Sequence, residues 1–163
     1  GLFYSAFTKL IGLEPIKQEF LLQQMAENGD PERYYFDVKE YMGTLVNAHK
    51  NMHRGINDWP HTIQTLQDQC DIAAAVQEVF TEQVDMVMRT AKELTKSDCL
   101  VYMGGCAMNS AANKQVVEPK FEYIWSLPNP GDPSSAIGAV LYHTKNREWN
   151  WKWDPVKHIA INT

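Results

Sequence analysis

The sequence predicts an α/β domain, rich in helix and carrying a small parallel sheet. Three observations lead there. Residues 71–95 repeat apolar side chains at a period near 3.6, the mark of a long helix with one buried stripe. Residues 99–127 run as an apolar stretch, a glycine pair, a helical stretch and a second apolar stretch, the order of a parallel crossover. The 163 residues are 44% hydrophobic and 21% charged, which fits one domain able to bury a sizeable core.

The elements follow in order. Leu2, Phe3, Ala6, Phe7 and Leu10 fall at helical spacing over residues 2–12, and Gly12 and Pro15 mark a stop and a restart. A second helix is expected over 16–27, with Ile16, Phe20, Leu21, Leu22 and Met25 toward the core. "ENGDP" (27–31) reads as a loop, "YYFDV" (34–38) as a short strand, 39–52 as a weak helix and 54–62 as a loop. In the helix over 71–95 the stripe is Ile72, Val76, Val79, Phe80, Gln83, Val84, Val87 and Met88. Asp71 opens it and Lys92 and Lys96 close it, as the helix dipole favours. "CLVYM" (99–103) is a buried strand, 106–118 a helix ended by Pro119, and "YIWSL" (123–127) a second strand. "PNPGDPSS" (128–135) is a loop, and 135–145 is a helix of small residues suited to close packing on a sheet. The tail from 146 to 163 is aromatic and irregular.

Bulk properties exclude several function classes. A net charge of −5 with no basic tract argues against nucleic-acid binding. No apolar run approaches the roughly 18 residues of a membrane span, and no signal-peptide pattern opens the chain. Three cysteines without C-x-x-C spacing argue against a disulfide framework or zinc site and fit a reducing cytoplasm. The chain starts at Gly1 and enters "LFYSAFTKLIG" at once, as expected of a piece of a longer protein.

Five constellations bear on chemistry. Gly104 and Gly105, with Asn109 and Asn113 beyond them, stand at the carboxyl end of the first strand, where ligands of open parallel sheets bind. Glycines there let a ribose or phosphate approach the backbone, and the next helix offers free N–H groups. A tight turn with solvated asparagines explains the same residues equally well. Asp132, in the loop after the second strand, suits a metal ligand, a group that orients a hydroxyl, or an N-cap with Pro133 following. His49 and His53 have the i, i+4 spacing of metal ligands, but no Glu of H-E-x-x-H and no third ligand lies nearby, so surface histidines are the better reading. Cys106 stands at a helix start, either as a reactive thiol or as a small packed residue. Trp149, Trp151 and Trp153 alternate, giving an extended segment with one aromatic face.

Several segments together resemble one family. "GLFYSAFTKLIGLEPIKQEF" is similar to the "lYSAFTyyLGF…geyK" segment of the O-carbamoyltransferases that modify antibiotics and nodulation factors. "LVYMGGCAMNSAANKQVV" resembles their "LclaGGvAlNcvAN", and "PNPGDPSSAIGAVLYH" their "PapGDdGgAlGAALy". "DIAAAVQEVFTE" resembles the helix before the double-glycine strand, and order and spacing agree across most of residues 1–145. Pro133, Ser134 and Ser135 replace an acidic or small residue and glycines, and Leu21 stands where the family often has lysine.

The resemblance implies the actin-like ATPase fold of sugar kinases and heat-shock chaperones, in which two related halves clamp a nucleotide. Residues 1–145 would form most of the second half, and 146–163 an extension toward a further domain. The implied activity is transfer of a carbamoyl group from carbamoyl-adenylate to the hydroxyl of a small-molecule acceptor. A separate YrdC-like domain would make the adenylate from carbamoyl phosphate and ATP. Gly104, Gly105, Asn109 and Asn113 would contact the adenylate. Asp132 would complete a divalent metal site, iron or similar, with histidines of an H-x-x-x-H motif lying upstream of the "SAFT" segment. No such motif stands before "SAFT" in this sequence, and His49–His53, which has the same spacing, lies downstream and does not take its place. Two rival readings are another actin-like phosphotransferase, such as a kinase, and a non-catalytic interaction module. Acceptor-dependent use of carbamoyl phosphate separates the first rival. Adenine-nucleotide affinity that survives Gly105→Val would favour the second.

Overall fold

A computed structural model describes residues 1–43, 50–126, 130–132 and 134–144. Its spine is a helix of 30 residues, Leu66–Thr95, about 45 Å long. This helix starts five residues before the expected Asp71, because Thr65 supplies a better start. The Thr65 hydroxyl accepts from the Asp68 amide at 3.0 Å, and the Asp68 carboxylate accepts from the Thr65 amide at 2.8 Å. These two bonds make a reciprocal capping box that satisfies otherwise orphaned N–H groups. Asp71 lies in the second turn and is buried. The helix ends where Lys96 turns left-handed, and Lys92 Nζ bonds the Ser97 carbonyl at 3.0 Å.

The expected stripe is largely the buried one. Ile72, Val76, Val79, Phe80, Val84 and Met88 are all buried, while Val87 is exposed. We label the elements in chain order: α1 (Leu2–Leu10), α2 (Glu19–Ala26), α3 (Tyr35–Met42) and the spine as α4. From α1 come Phe3, Tyr4 and Phe7, with Thr8 also buried because its hydroxyl bonds the Tyr4 carbonyl at 2.9 Å. From α2 comes Leu22, fully buried, with Met25 and Ala26 packed against the core; Ile16 and Phe20, expected in the core, stand 90% and 59% exposed. Residue 16 lies outside α2, so it does not join that helix's buried face.

Residues 34–38 do not form the expected strand. Asp30 caps a short 3-10 turn, Pro31–Arg33, and α3 follows, burying Val38 and Tyr41 three residues apart. Aromatic content suggested a strand, but the i, i+3 burial of a helix wins here. Gly43 ends α3, earlier than the expected 52. His49 and the tryptophans Trp149, Trp151 and Trp153 lie outside the described residues.

Strands β1 (Cys99–Val101) and β2 (Tyr123–Trp125) pair in parallel, with Cys99 opposite Tyr123 and Val101 opposite Trp125. Between them a 3-10 turn (Gly105–Met108) leads into α5 (Ser110–Ala112), which continues as a π turn over Asn113–Val117. Helix-rich α/β with a small parallel sheet is therefore the observed class. The sheet is not buried as expected: Val101, Tyr123 and Trp125 are exposed. Leu100 is the β1 side chain that packs on the core. The last helix, α6, spans Ser134–Thr144. Val140 and Tyr142 are exposed on it.

Candidate functional site

The carboxyl edge of the sheet brings two loops together. Pairing continues past β1, because the Tyr102 amide donates to the Trp125 carbonyl at 2.9 Å. The chain then reverses at Gly104, whose φ of +104° is one that side-chain-bearing residues rarely adopt. The Gly104 amide donates to the Pro130 carbonyl at 2.7 Å, tying the turn after β1 to the loop after β2.

Gly105 differs from its neighbour. Its φ lies outside the left-handed range, and a Cβ built on it would meet nothing within 4 Å. Neither backbone nor packing within the described residues calls for glycine at this position. The Ala107 and Asn109 amides close the 3-10 turn onto Gly104 and Cys106 at 3.0 and 3.2 Å. The amides of Gly105 and Cys106, at the start of that turn, donate to no group among the described residues. Two free N–H groups beside an uncrowded glycine form a surface suited to phosphate or ribose oxygens.

The helix starts at Ser110 rather than 106, and the Asn113 amide donates to the Asn109 carbonyl at 3.0 Å. Asn109 is the N-cap, with Oδ1 accepting from the Ala112 amide at 2.9 Å. Its amide also pairs head to tail with Gln77 of α4, at 3.2 and 3.0 Å. Asn113 turns back instead: Nδ2 donates to the Ala107 carbonyl at 2.7 Å, and its buried Oδ1 has no partner. Cys106 is half-buried in the 3-10 turn, not at a helix N-terminus, and its Sγ accepts from the Gly1 ammonium at 3.4 Å.

Asp132 is exposed, and its carbonyl accepts from the Ser135 amide and hydroxyl at 2.9 and 2.6 Å. Among the described residues no three His, Cys, Asp or Glu side chains lie close enough to hold a metal. They do not by themselves fit a metal, and His53, in an exposed 3-10 turn, adds no partner.

A family model described as carbamoyltransferase N-terminus matches residues 1–141. The chain belongs to this carbamoyltransferase family. It is also 31% identical to the uncharacterized protein sll1178 of Synechocystis sp., over 86% of this chain and 26% of that protein. The chain thus spans about a quarter of that relative's length. No solved structure matches it.

In this carbamoyltransferase-family chain Tyr102 precedes the glycine turn, and Tyr4 connects to its far end through Gln77 and Asn109. Burial pushes the Tyr102 phenol up to about 12 and raises Tyr4 further above its ordinary value. Both stay protonated at neutral pH and act as neutral groups. Tyr4 Oη donates to Gln77 Oε1 at 2.9 Å, linking α1 to the turn through α4. Sequence reasoning missed Gln77 and Pro130. Gln77 lies off the apolar stripe, and its one visible signal was a polar residue beside Val76 in a helix similar to the family's. Pro130 contributes only a carbonyl, which every residue has. No helix among the described residues is long and apolar enough to cross a membrane.

Proposed function

We propose that this chain supplies part of the adenylate site of an O-carbamoyltransferase with an actin-like fold. The observation that carries the reading is the Gly104–Gly105 turn. It sits at the carboxyl end of a parallel strand, with two amides that have no partner among the described residues and open space where a side chain would be, in a chain of the carbamoyltransferase family. Gly104 makes the turn possible, and Gly105 keeps its face clear for the ligand. The N–H groups of Gly105 and Cys106 would donate to the adenylate's phosphate or ribose oxygens.

In the proposed reaction the acceptor's hydroxyl oxygen attacks the carbamoyl carbon of carbamoyl-adenylate. The bond from that carbon to the phosphate oxygen breaks, adenosine monophosphate leaves, and the hydroxyl proton passes to solvent or a base. Held amides favour this step by stabilising the charge that gathers on the departing phosphate. ATP and carbamoyl phosphate would be consumed upstream, in a YrdC-like domain of the same protein. Asp132 would give one carboxylate to a divalent metal whose other ligands come from outside residues 1–163. A cytoplasmic setting accords with the free cysteines Cys70, Cys99 and Cys106.

The test is an assay of the full-length protein with ATP, carbamoyl phosphate and a panel of polyhydroxylated acceptors. The reading predicts a carbamoylated product formed with release of adenosine monophosphate, and no product from residues 1–163 alone. Phosphorylation of the acceptor instead would assign the chain to a kinase.

A further inference from the structure

The glycine turn is braced from behind by a polar network in an otherwise apolar interior. Gln77 is its hub. Its Oε1 accepts from Tyr4 Oη at 2.9 Å and from Asn109 Nδ2 at 3.0 Å. Its Nε2 donates to Thr81 Oγ1 at 3.0 Å and to Asn109 Oδ1 at 3.2 Å. Both lone pairs and both hydrogens of this amide are therefore used. Tyr4 is fixed in turn by burial and by an edge-on contact with Phe80, ring centroids 5.3 Å apart.

The network joins segments far apart in sequence: α1, the middle of α4, and the residue that ends the 3-10 turn. That turn has two anchors. Gly104 is held at one end by Pro130, and Asn109 at the other by Gln77 and by capping α5. Gly105 and Cys106, whose amides have no partner among the described residues, lie between them. An amide pair fixes both distance and orientation, whereas an apolar contact slides. Partial loss of such a network leaves unpaired polar groups, so it is an expensive way to gain stability alone.

We propose that Gln77 and Tyr4 are positioning residues, which set the glycine turn through Asn109 and so tune nucleotide binding without touching the nucleotide. The proposal rests on the adenylate-site reading above. It also reassigns Asn109, whose side chain serves as a strut behind the turn and not as a contact to the adenylate.

The experiment measures binding of adenosine monophosphate to the full-length protein by calorimetry, with unfolding midpoints recorded alongside. Gly105→Val defines which part of the binding belongs to this site. Gln77→Leu and Asn109→Ser, which keeps a capping oxygen, should each weaken that part about tenfold, the loss expected from one well-placed hydrogen bond. Their double variant should be no weaker than either single, because both act through one contact. Tyr4→Phe, which removes a single hydroxyl and keeps the ring, should show a smaller loss in the same direction. Val38→Ala, in the core under α3, should lower the midpoint and leave affinity unchanged.

Gln77→Leu and Tyr4→Phe that lower the midpoint but leave affinity within about twofold of wild type would make the network merely structural and overturn the proposal. Asn109→Ser far weaker than Gln77→Leu, with additive losses in the double variant, would place Asn109 on the nucleotide and overturn it as well. If Gly105→Val changes nothing, the adenylate-site reading itself fails, and that outcome is distinct from the other two.

Discussion

Gly104 and Gly105 are neighbours with different reasons to be glycine. Gly104 has a φ of +104°, so Gly104→Ala should cost about 1–2 kcal/mol of stability. Gly105 has open space around its absent Cβ, so Gly105→Ala should change stability by less than about 0.5 kcal/mol. Denaturant unfolding of the two variants checks the contrast, and equal losses would remove the argument that Gly105 is kept for a ligand. Gly29 is a third case, decided by packing. A Cβ there would lie 2.0 Å from the Cys70 carbonyl oxygen and 2.8 Å from the Asp71 amide. Backbone atoms cannot yield as a side-chain tip does, so Gly29→Ala should lower stability by about 2–4 kcal/mol through forced separation of the 27–33 loop from α4. A midpoint close to wild type would show that this loop is not held as described.

At the scale of elements, the start of α4 is an electrostatic joint. The Asp68 carboxylate accepts from Thr65 Oγ1 and from the Gln64 and Thr65 amides, and pairs with Arg33 at 2.7 Å. These bonds hold its carboxyl well below the usual carboxylate range. For Asp71, burial pushes upward, but the Asp30 amide, Gln67 and Arg33 outweigh it and the net shift is downward. Groups depressed in the folded state contribute stability above their unfolded pKa, near 3.8, and lose it as pH falls toward the folded value. Stability should therefore be flat above about pH 5 and fall steeply below about pH 4. Arg33→Ala should lower the urea midpoint at pH 7 and flatten that acid decline. A series of midpoints across pH 3–7 checks both, and an unchanged slope in Arg33→Ala would show that the pairing is not energetically coupled to the fold.

The same joint shows what was legible in the sequence. The buried stripe of α4 was readable because Ile72, Val76, Val79 and Phe80 keep a helical period. Its start was misplaced because a lone Asp71 resembles a first-turn carboxylate, while Thr65 and Asp68 form a capping box with the shorter acid instead of Glu or Gln. The parallel pairing of β1 and β2 was readable from the crossover order. The direct bond from Gly104 to Pro130 was not, since it uses backbone groups. The bond between Asn109 and Gln77 was not legible either, because Gln77 lies 32 residues away on a helix face that periodicity marks as partly solvated.

For the whole molecule, the sheet is the least buried part of the crossover. Two strands of three residues make a marginal sheet by themselves, and Val101, Tyr123 and Trp125 stand exposed on it. The chain covers 26% of the related Synechocystis protein, so much of that relative lies beyond the matched region. The proposed nucleotide reading draws on a turn pinned at Gly104, amides at Gly105 and Cys106 with no partner among the described residues, and a clear face at Gly105. The most direct measurement is the affinity of the full-length protein for adenosine monophosphate with and without Gly105→Val, read beside the unfolding midpoint. The account predicts at least about a tenfold loss of affinity, equivalent to 1.4 kcal/mol, with the midpoint unchanged. Undiminished affinity in a folded Gly105→Val protein would contradict it.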